Sequence, residues 1–196
     1  MASLIFITHP EVVIDPEMPI PEWPLNAVGR ARMERFVEAL AGRNVSAVYA
    51  STERKAMDGA EIVAERLGLT YRTEEDLGEN DRSSTGYIAP PEFWEVVDEF
   101  FSRPQESIRG WERAIDAQTR IVNAVGRIAR EDGTSGDIVI VSHGGVGCLL
   151  TAHLQNVEIG RESRPSHPGG GCFIVIDRDP LALKQDWRTI EEGFAT

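Results

Sequence analysis

The segment Asp137–Leu150 constrains the fold of this 196-residue chain more than any other stretch of its sequence. It reads DIVIVSHGGVGCLL, in which four β-branched residues precede a Ser-His-Gly-Gly turn and a second apolar run. An apolar run of this kind is typical of a strand buried on both faces, as in a parallel sheet covered by helices. The segment therefore predicts a strand, a tight turn and a helix, with His143 at the carboxyl end of the strand.

Two further predicted strands carry polar side chains at the same kind of position. The run Leu4–Thr8 is followed by His9, and the run Val45–Ala50 is followed by the sequence STERK at residues 51–55. In open α/β sheets, ligands bind beyond the carboxyl ends of the strands, and glycines there let the N–H groups of the next helix face an anion. His143 alone could lie in an ordinary turn without a function. The other two strand ends make a shared site the stronger interpretation.

Helical periodicity fills most of the segments between the strands. Apolar residues recur at helical spacing from Asn26 to about Ala41, from a cap at Ser51 or Thr52 to Gly68, from Pro90 to Pro104, and onward from Ser107. In the first of these helices, the predicted inward face consists of Ala31, Phe36, Val37 and Leu40. The polar segment 70–90 reads as a loop, and residues 183–190 read as an edge strand.

Alternating strands and helices predict the fold class. They require crossover connections, so we expect an α/β fold, a three-layer α/β/α sandwich with a mostly parallel central sheet. The length suits one domain over residues 1–196, and the aromatic helix before Pro104 suggests a small helical cap inserted at about residues 78–105.

Composition limits the classes of partner. A formal net charge of −12 argues against nucleic acid and against an anionic membrane surface. The amino terminus has no basic leader and no apolar run is long enough to span a bilayer, so we expect a cytoplasmic protein.

Cys148 and Cys172 fit buried reduced thiols better than a disulfide or a metal site. We expect no cofactor and no metal, and the sequence leaves the oligomeric state open.

The residues at the predicted sheet edge suit a phosphoryl group. His9, His143, Arg54 and Lys55 bring two imidazoles and two cations together, and the N–H groups after Gly144 add further donors. An imidazole nitrogen can accept a phosphoryl group as a nucleophile, while cations and N–H groups stabilise its oxygens. A nearby carboxylic acid would protonate the leaving oxygen.

These motifs resemble the histidine phosphatase superfamily, also called phosphoglycerate mutase-like. The resemblance spans about residues 4–177 and rests on four features: an amino-terminal strand ending in His, Tyr-Ala-Ser-x-x-x-Lys-Ala at 49–56, Leu-x-Glu at 77–79, and Val-Ser-His-Gly-Gly-Val at 141–146. It implies that His9 becomes phosphorylated, that His143 binds the phosphoryl group and that Glu79 is the acid. Glu74, Glu75, Asp76 and Asp81 are alternative acids in the same loop.

The chain departs from the family pattern at three positions. Family members read Arg-His-Gly where this chain has Thr8-His9-Pro10, and the second family arginine falls on Lys55. Lysine keeps the charge but loses the bidentate guanidinium fork, while Thr8 offers one hydroxyl donor. Arg54 is adjacent and could contribute. The predicted phosphate ligands are therefore Thr8, Arg54, Lys55 and Gly144.

Two hypotheses of different class follow. In the first, the chain is a phosphohydrolase that acts on a small phosphomonoester through a phosphohistidine, with weak activity on generic substrates. Hydrolysis is favoured over a phosphoglycerate mutase-type transfer because no distinct basic set is evident for a second anionic group, although Arg30, Arg82 and Arg109 could serve. In the second, the chain is a catalytically impaired regulatory protein that binds phosphate or a phosphoprotein without turnover.

Overall fold

A six-stranded mixed sheet forms the centre of the computed structural model, which describes residues 2–163, 165, 167 and 169–195. Its strands are β1 (Ser3–Thr8), β2 (Val45–Ala50), β3 (Tyr71–Thr73), β4 (Asp137–Ser142), β5 (Cys172–Asp177) and β6 (Ala182–Thr189). They lie in the order β3-β2-β4-β1-β5-β6. The first four strands in that order are parallel, and β5 runs antiparallel to both of its neighbours.

Helices cover both faces of this sheet. They are α1 (Ala27–Ala39), α2 (Arg54–Leu67), α3 (Glu92–Ser102), α4 (Ala114–Glu131) and α5 (Gly144–Leu154). Alternate residues of β1 and β4 point to opposite faces, so one core contains Phe6 and Ile140 with α3, α4 and α5. The other contains Ile7 and Val141 with α1 and α2. The predicted three-layer α/β/α sandwich is confirmed.

Several local predictions are also confirmed. Strands β2 and β4 have the predicted bounds, and Asn26 caps α1 by accepting a hydrogen bond from the N–H of Gly29 at 2.9 Å. Gly68 ends α2 in a left-handed conformation. Within the described part of the chain, no helix is long and apolar enough to cross a membrane.

The predicted loop at residues 70–90 was wrong in part. Its first residues form β3, in which Tyr71 pairs with Val48 of β2, and its isolated apolar residue Leu77 is fully buried. A three-residue edge strand is too short to produce a detectable alternation of apolar and polar residues. Ser142 donates a hydrogen bond to the carbonyl of Leu77 at 2.7 Å, which fixes this loop beside the end of β4.

Two predicted helix starts also differ from the structure. Helix α4 begins at Ala114 and not near residue 107, because Arg109 and Gly110 take positive φ angles of 51° and 85° that interrupt a helix. Helix α2 has its N-cap at Glu53, one or two residues after the predicted cap. In α1, Ala31 is exposed and Met33 is buried in its place.

Candidate active site

The parallel pairing of β1 with β4 brings the two strand-end histidines together. Thr8 lies opposite Ser142 in the register, and the N–H of His9 donates to the carbonyl of Ser142 at 2.9 Å. The rings of His9 and His143 then meet edge to face, with their centroids 5.1 Å apart and an interplanar angle of 68°. Their predicted juxtaposition at adjacent strand ends is confirmed.

The ring of His9 is oriented by the backbone that follows it. Its Nδ1 lies 2.9 Å from the carbonyl oxygen of Pro10, which can only accept a hydrogen bond. Nδ1 therefore carries the proton, and Nε2 keeps a free electron pair. Burial lowers the pKa of His9 to about 4, and the positive charge of Lys55 acts in the same direction. His9 is thus neutral near pH 7, as a nucleophile must be.

His143 is fully buried at the start of α5. Its Nε2 lies 2.6 Å from the hydroxyl oxygen of Ser51 and 3.3 Å from Oε1 of Glu53. Its Nδ1 is buried and has no hydrogen-bond partner among the described residues. Burial lowers the pKa of His143 to about 4, although the charge of Glu53 opposes this shift. A buried ring nitrogen without a hydrogen-bond partner is rare in native structures, which marks His143 as a candidate functional residue.

The carboxylate of Glu79 lies at the amino terminus of α5. Its carboxylate accepts hydrogen bonds from the N–H groups of Gly145 and Val146, each at 2.9 Å. The N–H groups predicted to face an anion therefore face an internal carboxylate, which the helix dipole also favours. At Gly144, an added Cβ would meet no atom within 4 Å, so this residue borders open space.

Arg120 of α4 holds the loop that carries Glu79. Its guanidinium donates to the carbonyl oxygens of Asp76, Gly78 and Glu79 at 2.8, 2.9 and 3.1 Å. It also forms a bidentate ion pair with Glu112, with distances of 3.0 and 2.8 Å. These bonds fix the loop backbone on both sides of residue 79, so Arg120 is a positioning residue for the Glu79 carboxylate.

The other carboxylates of the loop are engaged elsewhere. Glu74 and Asp76 pair with Arg127 at 3.0 and 3.1 Å. Asp81 accepts a backbone N–H two residues further along the chain at 2.8 Å, and Glu75 is exposed. Glu79 is the loop carboxylate whose charge acts on His143, which favours it among the predicted acids.

Lys55 is the predicted phosphate ligand that lies beside the histidines. It is almost fully buried, and its Nζ donates to Oε2 of Glu53 at 2.5 Å and to the carbonyl of Ile20 at 2.8 Å. Burial lowers the pKa of Lys55, and Glu53 opposes that shift. For Glu53, burial acts to raise the pKa, but the His143 ring, Lys55 and a backbone N–H outweigh it and hold the pKa well below its usual range.

Two other predicted phosphate ligands direct their polar atoms away from the histidines. The Thr8 hydroxyl is buried and bonds the backbone N–H and carbonyl of Cys172 at 3.1 and 3.3 Å. The Arg54 guanidinium is largely exposed and pairs with Asp58 at 2.7 Å. Their role in phosphate binding stays a prediction that requires these contacts to change.

Two residues of the site, Ser51 and Glu53, were given no role from the sequence, and Arg82 was named only as a possible cation for a second anionic group. Ser51 and Glu53 follow β2, so the strand-end argument that selected Lys55 covers them as well. Arg82 stacks over Phe93 and Trp111, with distances of 5.4 and 5.7 Å to the ring centroids, and its charge lowers the pKa of both His9 and Lys55. Only the tertiary fold reveals its proximity, because it lies in the predicted loop.

The fold and the paired histidines define the chain as a phosphoglycerate mutase-like α/β protein. It belongs to the histidine phosphatase superfamily (branch 1), whose sequence profile matches residues 17–184. The matched region includes Glu79 and His143 but begins after His9. Among the described residues, no group of three or more His, Cys, Asp or Glu side chains could hold a metal ion.

Individual proteins are similar to this chain in sequence or in structure. An uncharacterized protein of Mycobacterium tuberculosis, Rv0525, is 29% identical over 134 residues, which cover 63% of this chain and 62% of the relative. The mycobacterial glucosyl-3-phosphoglycerate phosphatase Rv2419c in complex with inorganic phosphate has a TM-score of 0.76 at 18% identity, over 95% of this chain and 96% of that one. Bacillus stearothermophilus YhfR also has a TM-score of 0.76, at 24% identity over 94% and 95% of the two chains. These structures share the fold of this chain.

Proposed function

We propose that the chain is a phosphohydrolase that cleaves a small phosphomonoester through a phosphohistidine at His9. The observation that carries the proposal is the 2.9 Å contact between Nδ1 of His9 and the carbonyl oxygen of Pro10, because that contact requires the ring proton on Nδ1 and leaves Nε2 with a free electron pair. The ring lies beside His143 and near the charges of Lys55 and Arg82. Pro10 replaces the family glycine but retains the carbonyl that this orientation needs.

The reaction takes two steps. In the first, Nε2 of His9 forms a bond to phosphorus as the ester P–O bond breaks, and the leaving oxygen takes a proton from the carboxyl group of Glu79. In the second, water attacks the phosphorus, the N–P bond breaks, and Glu79 recovers a proton from that water. His143, Lys55 and the N–H groups at the start of α5 stabilise the phosphoryl oxygens.

Hydrolysis is favoured over transfer to a second phosphorylated acid because the nearby arginines are already paired. Arg54 and Arg30 both contact Asp58, at 2.7 and 3.4 Å, and Arg109 contacts Glu92 at 2.5 Å. Within the described part of the chain, Arg82 has no carboxylate partner. A mutase would need a set of cations to hold the carboxylate of its acceptor, whereas water needs none.

A second candidate is a protein that binds a phosphorylated ligand without turning it over. The contacts of Thr8 with β5 and of Lys55 with Glu53 favour it, because both remove donors from the phosphoryl group. A binding protein would give calorimetric binding of inorganic phosphate and no release of phosphate from esters.

The experiment that tests the first proposal compares His9→Ala with His153→Ala. His153 is exposed near the end of α5, so its variant controls for the loss of an imidazole. We expect wild type and His153→Ala to release phosphate from a panel of phosphomonoesters and to carry an acid-labile phosphoryl group during turnover. We expect His9→Ala to do neither while keeping its melting temperature. Undiminished turnover in His9→Ala would exclude the mechanism.

A further inference from the structure

Glu53 is the feature of the site that the mechanism above does not use. It lies at the N-cap of α2, and its largely buried carboxylate accepts two hydrogen bonds and contacts the ring of His143. Oε2 accepts from Nζ of Lys55 at 2.5 Å, while Oε1 accepts from the N–H of Glu79 at 2.9 Å and lies 3.3 Å from Nε2 of His143. A cation, a backbone N–H and an imidazole are the donor types that a phosphoryl group requires.

The charges around Glu53 nearly cancel. Lys55 and Arg82 are positive, Glu53 and Glu79 are negative, and both histidines are neutral near pH 7. Arg54, the other cation at the start of α2, is paired with Asp58 and largely exposed. A doubly charged phosphoryl group entering this site would meet the negative charge of Glu53 at the position of its best donors. A singly charged group would meet half of that repulsion.

We propose that Glu53 is a specificity-determining residue, whose carboxylate makes the site select phosphoryl ligands that carry one negative charge over those that carry two. The inference rests on the proposed phosphate site and states the net charge of the phosphoryl group that the site prefers. Two sources supply such a ligand: a phosphomonoester that retains one acidic proton, and a phosphodiester. The test follows one doubly charged and one singly charged phosphoryl ligand, compares each between wild type and variant, and does not depend on turnover.

The test measures binding by calorimetry at about pH 8, where inorganic phosphate is mainly doubly charged and dimethyl phosphate is singly charged. The variant is Glu53→Gln, which keeps the shape of the side chain and removes its charge. Glu61→Gln, on the exposed side of the same helix, is the matched control for the change in net charge. Melting temperatures verify that each variant is folded, and Glu53→Leu provides a second neutral side chain.

We expect wild type to bind dimethyl phosphate at least as tightly as inorganic phosphate. In Glu53→Gln, a bound phosphoryl group no longer faces the negative charge of Glu53. The affinity for the singly charged ligand should therefore rise roughly tenfold and the affinity for the doubly charged ligand roughly a hundredfold. Glu61→Gln should change neither affinity. An unchanged or weaker affinity for inorganic phosphate in both Glu53 variants would overturn the inference, and so would equal gains for the two ligands.

Turnover assays on the same proteins separate this inference from the proposed function. If the Glu53→Gln protein gains affinity for inorganic phosphate with the expected charge dependence but no protein hydrolyses an ester, the charge selection stands and the hydrolase proposal falls. If wild type hydrolyses phosphomonoesters while Glu53→Gln leaves both affinities unchanged, the hydrolase proposal stands and Glu53 serves only to hold Lys55 and His143.

Discussion

Replacing Arg120 with lysine should lower kcat, although Arg120 is not expected to contact a reacting atom. The guanidinium bonds three backbone carbonyls of the Glu79 loop and pairs in a bidentate manner with Glu112. The shorter ammonium of lysine cannot reproduce this fork, so several of these five contacts are lost. We expect the loop to shift and the Glu79 carboxylate to leave the position from which it donates its proton.

The magnitude follows from the contacts. A hydrogen bond to a charged group contributes roughly 1.5–3 kcal/mol, and the partial exposure of Arg120 reduces that value, so the loss of two or three bonds should cost about 3 kcal/mol of stability. For a chain of this size this corresponds to a melting temperature lower by roughly 6–12 °C. A displacement of the acid by about 1 Å should lower kcat for an alkyl phosphate roughly a hundredfold.

The assay compares substrates with different leaving groups. An aryl phosphate with an acidic phenol leaves without a proton, whereas an alkyl phosphate requires the acid. We expect Arg120→Lys to reduce kcat strongly for the alkyl ester and only weakly for the aryl ester. Arg127→Lys is the control, because Arg127 lies on the same helix and pairs with side chains of the loop, not with the backbone of Glu79. Equal losses on both substrates, or the same pattern in Arg127→Lys, would refute the positioning role.

Two other predictions concern charge and acidity. The pKa of the buried His143 is about 4 when folded and about 6.5 when unfolded, so the unfolded chain binds more protons between these values. The contribution of His143 to stability, present above about pH 6.5, should therefore fall by about 3 kcal/mol towards pH 4, and His9 adds a fall in the same direction because its pKa is lowered in the same way. Urea unfolding should detect the combined slope, and His143→Gln should remove the His143 share of it. Thr8→Arg combined with Pro10→Gly should raise turnover of an aryl phosphate by up to about a hundredfold, since it restores a bidentate cation. The absence of any gain, with the new arginine seen in the pocket, would contradict a degraded phosphate site.

The parts of the fold that could be predicted are those encoded by local sequence. The β-branched runs of β1, β2 and β4 identify buried strands, and the polar residues that follow them identify the carboxyl edge of the sheet. The same rule predicts from the sequence that His9, His143 and Lys55 lie close together. Strand β3 could not be recognised because three residues are too few to show an alternation of apolar and polar side chains, and its position depends on pairing with β2.

The parts of the site that could not be predicted depend on contacts between distant segments. Arg120 lies 42 residues from Gly78 in sequence, and nothing in the periodicity of α4 distinguishes it from Arg127. Glu53 follows β2 as Lys55 does, but its contact with His143 requires the pairing of β2 with β4. A residue beside a strand end can therefore be identified from sequence as a candidate site residue. Its contact partner and its charge state can be determined only from the tertiary structure.

We expect a phosphoryl group that binds at the start of α5 to exchange its oxygens for the carboxylate of Glu79. The N–H groups of Gly145 and Val146 are held by Glu79, so a phosphoryl group that binds the start of α5 displaces that carboxylate. A carboxylate that loses two N–H donors and faces an anion takes up a proton more readily. We therefore expect binding itself to produce the protonated Glu79 that the first chemical step consumes.

This coupling can be measured as proton uptake when inorganic phosphate binds. Calorimetry in buffers of different ionisation enthalpy reports the number of protons taken up, and the titration of phosphate itself is removed by subtracting the value for Glu79→Gln, which cannot take up a proton at this position. We expect wild type to take up more protons than Glu79→Gln, by up to about one per bound phosphate. Equal uptake in the two proteins would mean that Glu79 stays at the start of α5 in the complex, so that the phosphoryl oxygens rely on Lys55, Arg82 and His143 and the leaving oxygen obtains its proton from another group.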